Sequence, residues 1–156
     1  MTTRLIRIIG IGNPLMGDDG IGISVIERLQ KEPLPASVEL VDGGCGGLTL
    51  LQLFDGCGRL IIIDAADFGA PVGSIKTLDN HELDQLPAAL PHQASHNFGL
   101  AEALHTAEKL GSLPPLTLFL LQVAACRPQL GLSNPVEKAL PGLIKTLRQI
   151  IDRPDR

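Results

Sequence analysis

Residues 5–30 read LIRIIGIGNPLMGDDGIGISVIERLQ, and this stretch decides the fold. Residues 5–11 form a short apolar run, which is typical of a parallel strand buried on both faces. A glycine-containing loop with two adjacent acids follows, and residues 18–30 then have the apolar spacing of an amphipathic helix. A buried strand that leads through a short loop into a helix is the first unit of an α/β fold.

The same alternation continues along the chain. The other predicted strands are 38–41, 60–63, 74–78 at an edge, and 116–123. The other predicted helices are 48–54, 97–110 ended by Gly111, and a last one from residue 134. Because such alternation implies a mostly parallel sheet with helices on both faces, the sequence predicts one three-layer α/β/α domain over residues 1–156 with about five strands.

The last helix carries two local predictions. Asn134 is expected to cap it, with Pro135 at its first position and Glu137 completing a capping box. Pro141 is then expected to kink the helix, or to make it restart, before residues 143–151.

Composition excludes several classes of protein. The chain has 156 residues, 44% of them hydrophobic, with a net charge of −4 and no basic run. This apolar content argues against disorder, and the charge argues against a nucleic-acid partner. Three cysteines without a C-x-x-C pair indicate a reducing compartment. Without a signal peptide or an apolar stretch of about 18 residues, we expect a cytoplasmic protein that has no membrane partner.

Gly10-x-Gly12 at the end of the first strand suggests a dinucleotide fold, and Asp42 ends the second strand where a ribose-binding acid would lie. The match is weak because Leu15 occupies the position of the third glycine. The two adjacent acids at the helix start would also repel a pyrophosphate. A nucleotide-binding module is therefore the lesser alternative.

Acids at strand ends are the first candidates for a site, because ligands bind at the carboxyl ends of strands in such sheets. We assign Asp18 as the cap of the first helix, which leaves Asp19 to point into the crevice. Asp64 directly follows the apolar run 60–63. A carboxylate so placed needs a cation, a proton or hydrogen-bond donors, unless it only caps the next loop.

Histidines offer a third ligand. Residues 79–96 are interpreted as a mobile loop with one helical turn, and this loop contains His92 and His96. His96 either binds a metal or makes a local cap beside the start of the following helix. His81 and His105 are interpreted as surface residues.

Two carboxylates and one imidazole on three loops are typical of a metal site with open positions for water or substrate. Such mixed ligands suit Zn²⁺ or Ni²⁺. The chain has no H-E-x-x-H helix, and G-x-S-x-G is also absent. Cys45, among the glycines of residues 43–47, is either a nucleophile or a small residue in a tight turn. The N–H groups of these glycines either hold a peptide or an oxyanion, or only form the turn.

Five segments resemble motifs of the hydrogenase maturation protease family. They follow the family's order over nearly the whole chain, and the first is the most specific. The segments are IGIGNPLMGDDGIG at 9–22, DGG at 42–44, LIIIDA at 60–65, SHNFGL at 95–100 and GLSNPV at 131–136.

This resemblance implies an α/β/α endopeptidase that removes a C-terminal extension from the large subunit of a nickel-iron hydrogenase after nickel insertion. Asp19, Asp64 and His96 correspond to the family's metal-binding residues, and we assign them the catalytic role as well. His96 is preferred to His92 because Gly99 and the following helix keep the spacing. Nickel is expected to arrive with the large-subunit precursor, and no tightly bound organic cofactor is expected. A non-catalytic chaperone that binds nickel and the precursor is the main alternative.

Overall fold

A five-stranded sheet organises the part of the chain that the structure describes. The computed structural model describes residues 4–47, 49–87, 99–124 and 126–153. The strands are β1 (Ile6–Gly10), β2 (Val38–Asp42), β3 (Arg59–Ala66), β4 (Ile75–Asp79) and β5 (Leu116–Gln122). Their spatial order is β2-β1-β3-β5-β4, in which only β4, at the edge, runs antiparallel to its neighbour. The predicted mostly parallel sheet with an edge strand at 74–78 is confirmed.

In the described part of the chain, four α-helices cover the sheet. They are α1 (Ile21–Gln30), α2 (Thr49–Phe54), α3 (Leu100–Lys109) and α4 (Asn134–Ile151). Short 3₁₀ turns occur at Gly17–Gly20 and Leu83–Gln85. Within the described ranges, no helix is long and apolar enough to cross a membrane.

Both faces of the central strands are buried, because successive side chains of a strand point to opposite sides. Ile8, Ile61 and Phe119 belong to the core under α1 and α4, which we call the α1–α4 face. Ile9 and Ile62 belong to the core under α2 and α3, which we call the α2–α3 face. Helices on both sides therefore confirm the three-layer fold.

Two glycines bring α1 close to the sheet. A Cβ on Gly22 would lie 2.3 Å from the carbonyl oxygen of Ile11 and 2.5 Å from that of Ile63. A Cβ on Gly10 would lie 2.1 Å from the carbonyl oxygen of Gly22. Because these neighbours are backbone atoms, only glycine allows the helix to pack at this distance.

The start of the first helix differs from the prediction. The stretch 18–30 is a 3₁₀ turn at Gly17–Gly20 followed by α1, and neither element has a side-chain cap. The assignment of Asp18 as a helix cap is therefore wrong. Its carboxylate instead accepts hydrogen bonds from a distant part of the chain, which satisfy it better than a cap would.

The last helix corrects two further predictions. Its N-cap is Ser133 rather than Asn134, and no side-chain cap bond forms, so the capping box is wrong. Helix α4 also continues through Pro141, so the predicted restart is wrong, while the alternative of a kink stays a prediction. Leu140 and Leu143 on either side are both buried, and this packing outweighs the poor helix propensity of proline.

Helix α3 ends as the sequence indicates. Gly111 follows it with φ +67°, and its N–H donates to the carbonyl of Glu108 while the N–H of Ser112 donates to that of Ala107. These bonds form a Schellman motif. The helix begins at Leu100, whereas its predicted start at residue 97 lies outside the described residues.

Candidate active site

The candidate site lies at the carboxyl edge of the sheet, where the loops after β1 and β3 meet. Asp19 is 2% exposed and Asp64 is 5% exposed. Because the negative charge of Asp19 acts on the pKa of Asp64, the structure brings together the two carboxylates that the sequence singled out. Asp64 lies within β3 opposite Leu120, not at the strand end, because Ala65 and Ala66 continue the pairing with β5.

Asp64 is held in an environment that opposes its charge. Burial is the main cause that raises its pKa well above 3.8, the negative charge of Asp19 raises it further, and the N–H of Ala65 lowers it. That N–H donates to Asp64 Oδ1 over 2.8 Å. A buried acid beside a second acid keeps a proton unless a cation is present. A divalent cation would favour the ionised form of both carboxylates.

Asp19 is placed by a tight turn against the end of β1. The N–H of Asn13 donates to Asp19 Oδ2 over 2.9 Å. Gly12 has φ +142°, and a Cβ on it would lie 1.8 Å from the carbonyl oxygen of Asp19. Only glycine at position 12 allows the turn that carries Asp19 to approach the end of β1 this closely. This explains the second glycine of the Gly10-x-Gly12 pattern.

Asp18 is a buried residue whose partners the sequence did not reveal. It is 5% exposed. Its Oδ1 accepts the N–H of Ser133 over 2.6 Å, and its Oδ2 accepts the Ser133 hydroxyl over 2.7 Å and the N–H of Ala124 over 3.3 Å. Because these partners are 106 and 115 residues away, no local signal points to them.

Cys126 also lies near the acids and was not singled out. Its pKa is raised to about 11, first by burial, then by the charges of Asp19, Asp18 and Asp64, while a bond to the backbone of Asp19 lowers it. The thiol therefore stays protonated at neutral pH. A protonated thiol is a weak nucleophile, so nothing here assigns Cys126 to the chemistry.

The turn at residues 42–47 lies beside the candidate site. Gly44, Gly46 and Gly47 have φ of +62°, +98° and +99°, and Gly44 donates its N–H to Asp42 Oδ1 over 2.8 Å. Asp42 thus stabilises a sharp turn, the simpler of the two interpretations of these glycines. Cys45 is exposed, with Sγ 4.0 Å from the carbonyl oxygen of Gly12.

A cavity of about 230 Å³ opens next to Asp64 on the α2–α3 face. Most of its described walls are apolar, and Glu102 and Cys45 lie at its polar side. Its described lining residues are Ile11, Cys45, Gly46, Asp64, Ala65, Ala66, Leu86, Pro87, Gly99, Leu100, Ala101, Glu102 and Leu120. Asp64 is thus the acid of the pair that borders this cavity.

The histidine predictions divide in two. His81 and His105 are exposed, as predicted. His92 and His96 lie outside the described residues, so the third ligand stays a prediction. Among the residues that the structure describes, no group of three His, Cys, Asp or Glu is arranged to hold a metal ion.

Comparison with known proteins identifies the class. A family model described as HycI, hydrogenase maturation protease, matches residues 23–150. The HupD hydrogenase expression/formation protein of Rhizobium leguminosarum bv. viciae is 33% identical over 149 residues, 94% of this chain and 73% of that protein. The hydrogenase 2 maturation protease of Escherichia coli K12 is 35% identical over 153 residues, 92% of this chain and 91% of that protein.

A solved structure gives the same result. The hydrogenase-maturating endopeptidase HybD from E. coli superposes with a TM-score of 0.81 at 30% identity, covering 94% of this chain and 91% of that one. The chain spans only 52–57% of the length of three further HupD relatives. The chain belongs to the hydrogenase maturation protease family. It is a peptidase of that type, and the nucleotide-binding and chaperone alternatives are not favoured.

Proposed function

We propose that this chain removes the C-terminal extension from a nickel-loaded large-subunit precursor of a nickel-iron hydrogenase. The observation that carries the proposal is the buried pair of carboxylates, Asp19 and Asp64, beside a cavity open to a peptide. A divalent cation would offset the negative charge of the two acids. His96, assigned from the sequence, is the proposed third ligand.

Nickel enters this site as part of the substrate. In the metal-free pair, burial and the charge of Asp19 raise the pKa of Asp64, which favours its protonated form. When nickel docks with the precursor, its charge favours two ionised carboxylates, and the proton leaves for solvent. A precursor without nickel leaves the pair protonated, so it docks more weakly. This difference would restrict processing to precursors that have received their metal.

The cleavage itself is a hydrolysis. Asp19 or Asp64 accepts a proton from the attacking water as general base. Bound nickel either polarises the scissile carbonyl or the water, or serves only to dock the scissile bond. The apolar walls of the cavity beside Asp64 hold the peptide on one side of the bond.

A cleavage assay with Asp19→Asn tests this proposal. Purified wild-type and variant protein are mixed with large-subunit precursor, with and without nickel, and the products are weighed by mass spectrometry. Wild-type protein is expected to release a C-terminal peptide only from nickel-loaded precursor. The variant keeps the shape of the side chain but loses its charge, so turnover should fall by more than about 100-fold.

Asp79→Asn is the matched control. Asp79 is an exposed acid at the end of antiparallel β4, which places it at the opposite edge of the sheet. Its replacement should leave turnover unchanged. Normal processing by Asp19→Asn would contradict the assignment of Asp19, and precursor binding without any cleavage by the wild type would favour the chaperone instead.

The cysteines support a proposal about the cellular compartment. Cys45, Cys57 and Cys126 are all free, which suits a reducing environment. We therefore expect processing of the large subunit in the cytoplasm. Fractionation of cells with an antibody against the chain would test this location.

A further inference from the structure

Asp18 is a buried acid to which the proposed chemistry gives no role. A carboxylate offers acceptors only, and its three partners, which come from Ser133 and Ala124, are all donors. Hydrogen bonds to a carboxylate are stronger than those between neutral groups. Asp18 therefore ties the 3₁₀ turn of Gly17–Gly20 firmly to the segment between β5 and α4.

The same two loops are joined a second time. The N–H of Gly17 donates to the carbonyl of Gln129 over 2.8 Å, and the N–H of Gln129 donates to the carbonyl of Leu15 over 3.0 Å. With the bonds of Asp18, the turn is held on the side facing the segment 124–133. A short turn held in this way has little freedom to rotate about its own axis.

Asp19, the next residue of that turn, is held from another direction. Its Oδ2 accepts the N–H of Asn13 over 2.9 Å, and its carbonyl lies against Gly12. Adjacent side chains of one tight turn share a rigid backbone, because each peptide unit is planar. A rotation that releases Asp18 therefore displaces the carboxylate of Asp19 relative to Asp64.

We propose that Asp18 is a positioning residue, which fixes the carboxylate of Asp19 by anchoring its turn to Ser133 and Ala124. This inference rests on the proposed function, in which Asp19 recognises the nickel of the precursor. The candidate site would then include the hydrogen bonds of Asp18 to Ser133 and Ala124, in addition to the proposed metal ligands.

The test compares the affinity of the protein for nickel-loaded and nickel-free precursor, together with kcat/KM. Asp18→Asn keeps the side-chain shape but replaces one carboxylate oxygen with an NH₂ group. That group is a donor and would face another donor, from Ser133 or Ala124. We expect kcat/KM to fall roughly 10- to 100-fold, since small misplacements cost up to about that much. The affinity ratio, which is the affinity for nickel-loaded precursor divided by that for nickel-free precursor, should fall as well. The affinity for nickel-free precursor should stay unchanged.

Gln122→Glu is the matched control for loss of stability alone. Gln122 is 4% exposed at the end of β5, where it bonds the N–H groups of Phe68 and Ala70 and the oxygens of Asp67 and Val123. Replacing its amide with a carboxylate disturbs these buried hydrogen bonds at the same edge of the sheet. It leaves the turn that carries Asp19 unchanged. It should lower the Tm at least as much as Asp18→Asn while keeping the affinity ratio.

A second variant covers the case in which Asp18→Asn fails to fold. Ser133→Ala removes only the hydroxyl bond to Asp18, so the ratio should fall about threefold. A wild-type affinity ratio in a folded Asp18→Asn, or in Ser133→Ala if the first variant does not fold, would overturn the inference. Absence of cleavage by the wild-type protein would instead count against the proposed function.

Discussion

The two faces of the sheet are packed differently. On the α1–α4 face, a helix of 10 residues and one of 18 residues lie over a continuous core. On the α2–α3 face, helices of 6 and 10 residues leave a cavity of about 230 Å³ beside Asp64. One face therefore carries the longer helices, while the other carries a cavity that borders a buried acid.

Asp64→Asn tests the open face and should have the largest effect. This variant replaces one of the two proposed acids, so the rate of cleavage should fall by more than about 1000-fold. Stability at pH 7 should rise, because the fold raises the pKa of Asp64 and so opposes an ionisation that the unfolded chain allows, whereas the amide has no proton to lose. The Tm of the variant at pH 7 should therefore be higher than that of the wild type.

The sign of the pH dependence follows from the raised pKa of Asp64. The folded protein holds this proton more tightly than the unfolded chain does. Its contribution to stability is thus complete below the ordinary value of 3.8 and is lost as the pH rises from there toward the folded pKa. Thermal unfolding across this range should show a steeper loss of stability for wild type than for Asp64→Asn, and parallel curves would contradict the prediction.

Gly22→Ala tests the close packing of the α1–α4 face. The new Cβ would lie 2.3 Å from the carbonyl oxygen of Ile11, and backbone atoms there have little room to move. The free energy of unfolding should fall by about 3 kcal/mol or more, as measured by urea denaturation.

Gly142→Ala provides the control in another helix of the same face. Gly142 is an exposed glycine of α4, and a Cβ there meets nothing within 4 Å. Alanine should therefore increase stability by about 0.5–1 kcal/mol. A similar gain in both variants would mean that helix propensity, not the approach of α1 to β1, governs the effect.

Cys45→Ala should have the smallest effect, although Cys45 borders the cavity on the open face. The thiol is exposed and lies in a turn that Gly44 and Asp42 already stabilise. Turnover of nickel-loaded precursor should stay within about twofold of wild type. A loss of 100-fold would instead identify Cys45 as the nucleophile.

Much of the fold follows from local pattern. Apolar runs such as 60–63 and the glycine after α3 determine strands and helix ends through forces that act over a few residues. The proximity of Asp19 and Asp64 could also be predicted from the sequence, because the carboxyl ends of adjacent parallel strands meet at one edge of the sheet.

What the sequence did not reveal depends on contacts between distant residues. Asp18 follows the local preference of aspartate for helix starts, yet its partner Ser133 is 115 residues away. Burial of Leu140 and Leu143 likewise keeps α4 continuous through Pro141. In each case tertiary packing outweighs a local propensity that is worth only about 1–3 kcal/mol.

The bond between Asp18 and Ser133 also has a consequence for biosynthesis. Because Ser133 is made 115 residues after Asp18, the turn that carries Asp19 cannot be fastened until most of the chain has left the ribosome. At about 5–20 residues per second, this delay is roughly 6–23 s. If Asp18 positions Asp19 as proposed, the complete peptidase site is expected to form only after the last helix has docked.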